Sequence, residues 1–192
     1  MLKATNGTIQ SSIKSLYSGV SINLSGGYHH ACGNSGGGFC IYPDISISIR
    51  ILKRFFGITK VMIIDLDAHQ GNGHERDFSA DADVFIIDCF RPDIYPGDDE
   101  AKKAIDVELH VTPEDNDQDY LNTLSCIPGI IKREKPEFIL YNAGTDIMEG
   151  DPLSGLNINE RGVIQRDELI VKAALKNKIP ICMVLSGGYQ QC

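Results

Sequence analysis

Five short apolar runs, each followed by small or polar residues, constrain the fold of this 192-residue chain most strongly. The runs are continuous and rich in β-branched residues, and they do not alternate with polar ones. This pattern indicates strands that are buried on both faces, as in a parallel sheet. The predicted strands cover residues 20–24, 61–64, 84–87, 138–141 and 181–185.

Helical patterns lie between the apolar runs, and glycine or proline marks their ends. The predicted helices cover residues 45–56, 114–135 and 159–177, with Asp44 as the N-cap of the first. Pro128 is expected to break or kink the second helix. A further helix is expected before the first strand, beginning almost at Met1. Alternating strands and helices predict an α/β fold, with three α/β/α layers and a mostly parallel sheet. Ligands of such sheets bind at the carboxyl ends of the strands.

The composition restricts the environment and the partners of the chain. A formal net charge of -8 disfavours contact with nucleic acid or anionic membrane. No apolar run reaches the roughly 18 residues of a membrane span, and the first residues lack the apolar core of a signal peptide. We therefore expect an intracellular protein with no membrane span and no direct nucleic-acid contact. Irregular spacing predicts reduced, mainly buried thiols at Cys32, Cys40, Cys89, Cys126, Cys182 and Cys192.

The segment Asp-Leu-Asp-Ala-His, from Asp65 to His69, directly follows an apolar run. Alternate residues of an extended strand point the same way, so Asp67 and His69 can reach one ion. Asp146, which follows the run at 138–141, is the candidate for a third ligand. Any single aspartate here could be a solvated strand-end residue, but the combination favours a catalytic zinc site with open positions. Carboxylates for a second metal are missing at Gly71, Gly144 and Met148.

Two adjacent histidines, His29 and His30, follow the first apolar run in the segment Gly-Gly-Tyr-His-His. Glycine lets the backbone turn tightly there. A histidine pair in a loop is at least as often structural as catalytic. Beside a metal site it becomes a candidate for general acid–base catalysis, because histidine titrates near neutral pH.

These and further motifs resemble those of histone deacetylases, and they occur in the order used by that superfamily. They are GGYHH, GGGFC, DLDAHQGNG, NAGTD followed by GDPL, and SGGYQ. Details such as AHQGNGHERDF, IYPGD, GTDIMEGDPLSGL and QRDEL are similar to the class IV branch. The resemblance implies an arginase/deacetylase-like fold. Because family members continue beyond both ends of this sequence, we expect residues 1–192 to be a partial histone deacetylase domain.

The resemblance also implies which residues bind cations. One zinc ion is expected on Asp67, His69 and Asp146, the same residues that their positions after two strands favour. A structural potassium ion is expected nearby, because hard oxygen ligands suit such a cation. Its oxygen ligands would be main-chain oxygens around Asp65, Asp67 and His69, together with a side-chain or backbone oxygen of Asp88.

Catalytic roles follow from the same resemblance. His29 and His30 match the tandem catalytic histidines, with Asp65 as the carboxylate partner of His29. Asn72 occupies the partner position of His30, where a neutral amide raises basicity less than a carboxylate would. Tyr189 matches the tyrosine that stabilises the oxyanion of the reaction. The walls of the substrate tunnel correspond to Gly38, Phe39 and Tyr95, although the two aromatic residues fit a plain core equally well.

The reaction implied by the resemblance is zinc-dependent hydrolysis of Nε-acyl-lysine, as a deacetylase or defatty-acylase, on histones or other proteins. It implies nuclear or cytoplasmic residence and corepressor-type protein partners. Two alternatives remain. One is an amidohydrolase acting on acetylated polyamines, and the other is a truncated, catalytically inactive zinc-binding remnant.

Overall fold

A computed structural model describes residues 1–190 of the chain. Its strands are β1 (Val20–Asn23), β2 (Val61–Asp65), β3 (Val84–Phe90), β4 (Val107–His110), β5 (Phe138–Asn142) and β6 (Ile181–Val184). They form one sheet in the order β1-β6-β5-β2-β3-β4, and every neighbouring pair is parallel. The prediction of an α/β fold with a mostly parallel sheet is confirmed.

Helices cover both faces of this sheet. They are α1 (Leu2–Ser18), α2 (Asp44–Phe55), α3 (Asn72–Phe78), α4 (Asp99–Lys102), α5 (Asp117–Leu124), α6 (Ile127–Glu134) and α7 (Glu160–Lys176). Apolar residues of α1 and α2 pack on one face, and those of α5, α6 and α7 pack on the other. The three layers therefore match the predicted α/β/α arrangement.

Strand β2 shows why the apolar runs are continuous. Met62 and Ile64 belong to the core on the α7 side, whereas Val61 and Ile63 belong to the core on the α2 side. All four side chains are at most 1% exposed. Because successive side chains of a strand point to opposite faces, a sheet covered on both faces needs apolar residues at every position.

One detail of the predicted helices is wrong, and another is confirmed. Pro43, and not Asp44, is the N-cap of α2, and Asp44 lies within the first turn of that helix. The expected break at Pro128 is confirmed, because the segment predicted as helical over 114–135 forms two helices, α5 and α6. Pro128 lies at the start of α6, where a missing N–H leaves no hydrogen bond unmade, so it marks the beginning of the second helix.

Three short elements were not predicted: α3, α4 and β4. Strand β4 reads Val-Glu-Leu-His and lies at the edge of the sheet, where its residues alternate between half-buried and exposed. It therefore lacks the continuous apolar run that identified the other strands. The helices α3 and α4 span only seven and four residues, which is too short for a clear helical period.

The structure bears on the predictions about thiols and membranes as well. Within residues 1–190 the cysteines are free thiols, and they are buried except for the exposed Cys126. Cys192 lies outside the described residues. Across residues 1–190, the helices are all too short or too polar to cross a bilayer.

Candidate functional site

The carboxyl ends of β2 and β5 lie side by side and bring the three predicted metal ligands together. The two strands are paired so that Asp65 lies opposite Asn142. Candidate ligand atoms of Asp67, His69 and Asp146 all lie within 4.8 Å of one another. These three residues are 1%, 7% and 0% exposed. His69 Nδ1 lies 2.9 Å from Asp146 Oδ2 and 3.2 Å from Asp67 Oδ1.

Main-chain groups hold the two carboxylates in place. Gly187 N donates to Asp67 Oδ2 over 2.9 Å, and Ala68 N donates to Asp146 Oδ1 over 2.9 Å. A Cβ atom at Gly187 would lie 2.5 Å from Asp146 Oδ2 and 2.7 Å from Asp67 Oδ2. Gly144 is similarly close to the Asp67 carboxylate. Larger residues would therefore fill the space between the carboxylates, which glycine leaves open.

The charges of this cluster favour a cation. Burial, together with the negative charge of Asp67, raises the pKa of Asp146 to about 7. Burial disfavours the charged form of His69, but hydrogen bonds to Asp146 and Asp67 outweigh it and raise the pKa of His69 to about 10. The two buried carboxylates thus share the imidazole of His69, and Asp67 Oδ1 also lies 3.5 Å from His29 Nε2. Two carboxylates and an imidazole form a donor set that suits a small divalent cation such as zinc.

The adjacent histidines have different partners. His29 Nδ1 lies 2.9 Å from Asp65 Oδ2, and His30 Nδ1 lies 2.9 Å from Asn72 Oδ1. The ring centroids of His29 and His30 are 4.0 Å apart. Burial opposes protonation of His29, but the charges of Asp65 and Asp67 outweigh it and raise the pKa to about 9. Burial and the nearby positive His29 lower the pKa of His30 to about 3.

Asp44 anchors the loop that carries this histidine pair. Its carboxylate accepts hydrogen bonds from Gly27 N at 2.9 Å and Tyr28 N at 2.8 Å. Thr8 Oγ1 of α1 donates to the same carboxylate at 2.5 Å. Asp44 is 0% exposed, so these donors replace the water that the carboxylate loses. The sequence predicts only a helix cap at Asp44, because the partners of its carboxylate lie 16 to 36 residues away along the chain.

Asp65 is a shared acceptor behind the histidine pair. Besides His29, it accepts from His74 Nε2 at 2.8 Å and from Asn142 Nδ2 at 2.8 Å. His74 was not among the predicted site residues. It begins the segment His-Glu-Arg-Asp-Phe, and it is 1% exposed. A histidine among charged residues was the only feature of the sequence that pointed to a role for His74.

The predicted potassium residues fall into two groups. Side-chain atoms of Asp65, His74 and Asp88 lie within 4.8 Å of one another, whereas those of Asp67 and His69 belong to the other cluster. Asp88 Oδ2 accepts from the Gly71 amide at 2.8 Å. Among the described residues, Asp88 Oδ1 has no hydrogen-bond partner. Burial, with the negative charges of Asp65 and Glu75, raises the pKa of Asp88 well above its usual value.

A cavity of about 290 Å³ leads down to the first cluster. The predicted tunnel residues lie around it, and Phe39 and Tyr95 are 75% and 50% exposed, so neither belongs to the core. Ile94 and Leu153 complete the apolar wall and were not predicted. The full lining consists of His30, Gly38, Phe39, His69, Ile94, Tyr95, Leu153 and Tyr189.

Gly38 brings the backbone close to the histidines. A Cβ atom there would collide with the His30 ring and lie 2.9 Å from Tyr95 Cε1, and the residue has a positive φ of 44°. The rings of His30 and Tyr95 meet edge to face at a centroid distance of 4.9 Å. Only glycine therefore leaves room for this wall of the cavity.

Tyr189 lies at the mouth of the cavity, opposite Phe39. Their ring centroids are 6.0 Å apart. The Tyr189 amide donates to Asp151 Oδ2 at 2.8 Å, and Asp151 Oδ1 accepts from Leu153 N at 2.9 Å. Asp151 thereby joins two parts of the rim, a role not predicted from the sequence. Burial and the carboxylate of Asp67 raise the pKa of Tyr189, which keeps its phenol protonated at neutral pH.

Comparisons with known proteins agree with this arrangement. The family model for the histone deacetylase domain matches residues 1–192. Histone deacetylase 2 of Arabidopsis thaliana is 43% identical over 190 residues, which cover 98% of this chain and 49% of that protein. The chain thus spans about half the length of this relative.

Solved structures share the fold. The crystal structure of an HDAC homolog complexed with SAHA superposes with a TM-score of 0.83 and 26% identity, over 97% of this chain and 52% of the other. An acetylpolyamine aminohydrolase from Burkholderia pseudomallei gives a TM-score of 0.81 at 19% identity, over 97% of this chain and 56% of the other. The match along the whole sequence, on a sheet that unites the motif residues, shows that the chain belongs to the histone deacetylase family.

Proposed function

We propose that this chain forms the catalytic core of a zinc-dependent amidohydrolase that removes acyl groups from Nε of lysine in proteins or peptides. One observation carries the proposal. The cluster of Asp67, His69 and Asp146 lies at a cavity whose lining also includes His30 and Tyr189. The proposed metal ligands, base and oxyanion donor thus meet at one cavity.

Asp67, His69 and Asp146 are the proposed ligands of one zinc ion. When bound, zinc supplies a Lewis acid that polarises the amide carbonyl and acidifies a water molecule. The space left by Gly144 and Gly187 supports this assignment, as does the repulsion between the two buried carboxylates. A structural potassium ion is proposed beside Asp65 and Asp88, where Asp88 Oδ1 is available as an oxygen ligand.

His30 is the proposed general base. Its lowered pKa keeps the ring neutral at neutral pH, so it can accept a proton from the attacking water. The Asn72 amide nitrogen donates to Asp98 Oδ2 at 3.2 Å, which turns its oxygen toward His30 Nδ1. The proton of the neutral ring then lies on Nδ1, and Nε2 is the atom that accepts.

His29 is the proposed source of positive charge next to the reacting group. The carboxylate of Asp65 raises its pKa and holds its ring at Nδ1, so the protonated form persists at neutral pH. Its positive charge stabilises the negative charge that develops on the substrate oxygen while His30 takes the proton. A protonated histidine of this pair then gives a proton to the lysine amine as the amine leaves.

Tyr189 is the proposed hydrogen-bond donor to the oxyanion. Its raised pKa keeps the hydroxyl protonated, as a donor must be. Donors placed where negative charge develops provide a large part of catalysis in acyl transfer. The apolar walls at Phe39, Tyr95 and Leu153 suit the aliphatic stem of lysine.

The first experiment measures hydrolysis of acetyl-lysine and myristoyl-lysine peptides by the 192-residue chain with zinc. Turnover that Asp146→Ala abolishes would establish a zinc deacylase. The ratio of the two rates would test a long-chain preference, proposed from the class IV resemblance and the glycines at 36–38. Zinc binding without turnover on either peptide would instead support the hypothesis of an inactive zinc-binding remnant.

Nuclear or cytoplasmic residence and corepressor-type partners are further proposals, and they rest on the family resemblance.

A second candidate is hydrolysis of acetylated polyamines. The superposition on an acetylpolyamine aminohydrolase and the net charge of -8, which attracts polycations, favour it. Acetylputrescine is the test substrate. A kcat/KM for acetylputrescine above that for acetyl-lysine peptides would replace the lysine proposal.

A further inference from the structure

Arg166 is the largest fully buried side chain among the described residues, and it lies on α7 at 0% exposure. Burying a guanidinium is costly unless its donors find partners. Arg166 Nε donates to Asp167 Oδ1 at 2.9 Å, and its Cζ lies 5.9 Å from the centroid of the Tyr141 ring. Tyr141 Oη also donates to Asp167 Oδ1 at 2.6 Å. Asp167 thus orients the guanidinium from one side.

The other donors of Arg166 point to the main chain behind the metal cluster. Nη1 donates to Gly144 O at 2.6 Å and to Leu66 O at 3.2 Å, and Nη2 donates to Ala143 O at 3.3 Å. Leu66 lies just past the end of β2, and Ala143 and Gly144 lie just past the end of β5. One planar group therefore contacts both chain segments after the strands have ended.

These carbonyls are next to the proposed ligands. Leu66 directly precedes Asp67, and Gly144 precedes Asp146 by two residues. Leu66 N donates to Asn142 O at 2.9 Å, which continues the ladder between β2 and β5 by one bond. Beyond this hydrogen bond, the Arg166 guanidinium connects the segment that follows β2 with the segment that follows β5. Its rigid fork has donors for several carbonyls, whereas a lysine ammonium acts as a single point on a flexible stem.

We infer that Arg166 is a positioning residue that sets the spacing between Asp67 and Asp146, an inference that rests on the proposed metal site. It acts through the backbone and contacts neither carboxylate in the described structure. Loss of the guanidinium lets the two segments separate, and the ligands then no longer converge on one ion. Zinc affinity should therefore fall further in an Arg166 variant than in a control variant that loses a similar amount of fold stability.

The test compares Arg166→Lys and Arg166→Met with Ile170→Ala in the full chain. Ile170 is fully buried one turn further along α7 and serves as the matched control for lost stability. Zinc affinity is measured by competition with a chromophoric chelator, ligand geometry by the visible absorption of bound Co²⁺, and stability by thermal unfolding of the metal-free protein. Positioning partners of metal ligands typically change affinity by about 10- to 100-fold.

For both Arg166 variants we expect zinc affinity to fall by about 10- to 100-fold and the Co²⁺ absorption bands to change. Ile170→Ala should keep a zinc affinity within about twofold of the unchanged chain. If the Arg166 variants do not fold, Asp167→Asn keeps the guanidinium, removes its carboxylate partner and should lower zinc affinity severalfold. Unchanged affinity in the folded variants would overturn the inference. The proposed metal site is tested separately: it is supported if the unchanged chain binds zinc and Asp146→Ala does not, regardless of the result for the Arg166 variants.

Discussion

The floor and the rim of the cavity are built differently. The floor consists of Asp67, His69 and Asp146, which are at most 7% exposed and follow adjacent strands of the sheet. The rim includes Phe39 and Tyr189, which are 75% and 37% exposed and lie on loops. Backbone amides hold the two carboxylates of the floor, whereas the Phe39 side chain projects into solvent.

This difference separates two tasks. Metal binding needs ligands held within a few tenths of an ångström, which strand ends in a packed sheet provide. Selection of the substrate needs surfaces that can vary, and exposed loops provide these. We therefore expect floor substitutions to change metal affinity and rim substitutions to leave it unchanged. Four predictions test that separation.

The largest effect is expected for Asp146→Ala. It removes a proposed ligand from the floor, so zinc affinity should fall beyond the roughly 10- to 100-fold caused by indirect contacts, and turnover should be lost. Zinc content after dialysis and peptide hydrolysis measure the two effects. Asp99→Ala is the control, since that carboxylate is 90% exposed and should leave both unchanged. If Asp146→Ala retains zinc, Asp146 is not a zinc ligand.

Tyr189→Phe should lower kcat by about 100- to 1000-fold, the usual cost of one oxyanion donor. Zinc affinity should stay the same, because Tyr189 belongs to the rim and Phe retains its ring. Steady-state kinetics and chelator competition on the same preparation check both parts. Near-normal kcat would show that the hydroxyl does not act in the reaction.

Acid should weaken metal binding at the floor. The pKa of His69 is raised to about 10 and that of Asp146 to about 7, so both hold protons at pH 6 that zinc must displace. Affinity should therefore rise with pH by about tenfold per unit for each proton released, and more steeply below pH 7 than above it. Chelator competition between pH 5.5 and 8 gives the slope. An affinity independent of pH would mean that other groups bind the metal.

The smallest effect is expected for Phe39→Ala. Removing an aromatic wall that stays largely exposed should raise KM for acyl-lysine peptides by about five- to tenfold, or roughly 1 kcal/mol of lost apolar contact. Zinc affinity and thermal stability should not change, since the side chain packs against little else. A clear loss of zinc in this variant would break the separation of rim and floor.

Much of the site could be predicted because its signals are local. Continuous apolar runs predicted the buried strands, and alternation along an extended chain placed Asp67 and His69 on one side. Asp146 could be placed beside them because the residues that follow parallel strands meet at one edge of the sheet. Strand β4 and helices α3 and α4 were missed, because a half-exposed edge strand and very short helices carry weak periodicity.

The sequence by itself determined the α/β class, the residues of the proposed metal site and the family. Tertiary structure decided that β5 lies next to β2, although β3 and β4 come between them in the chain. It also decided the roles of Asp44, His74, Asp151 and Arg166. Arg166 bonds to a carbonyl 100 residues away, a partner that no local pattern encodes. Buried polar groups must find partners, and which partners they find depends on how distant segments pack together.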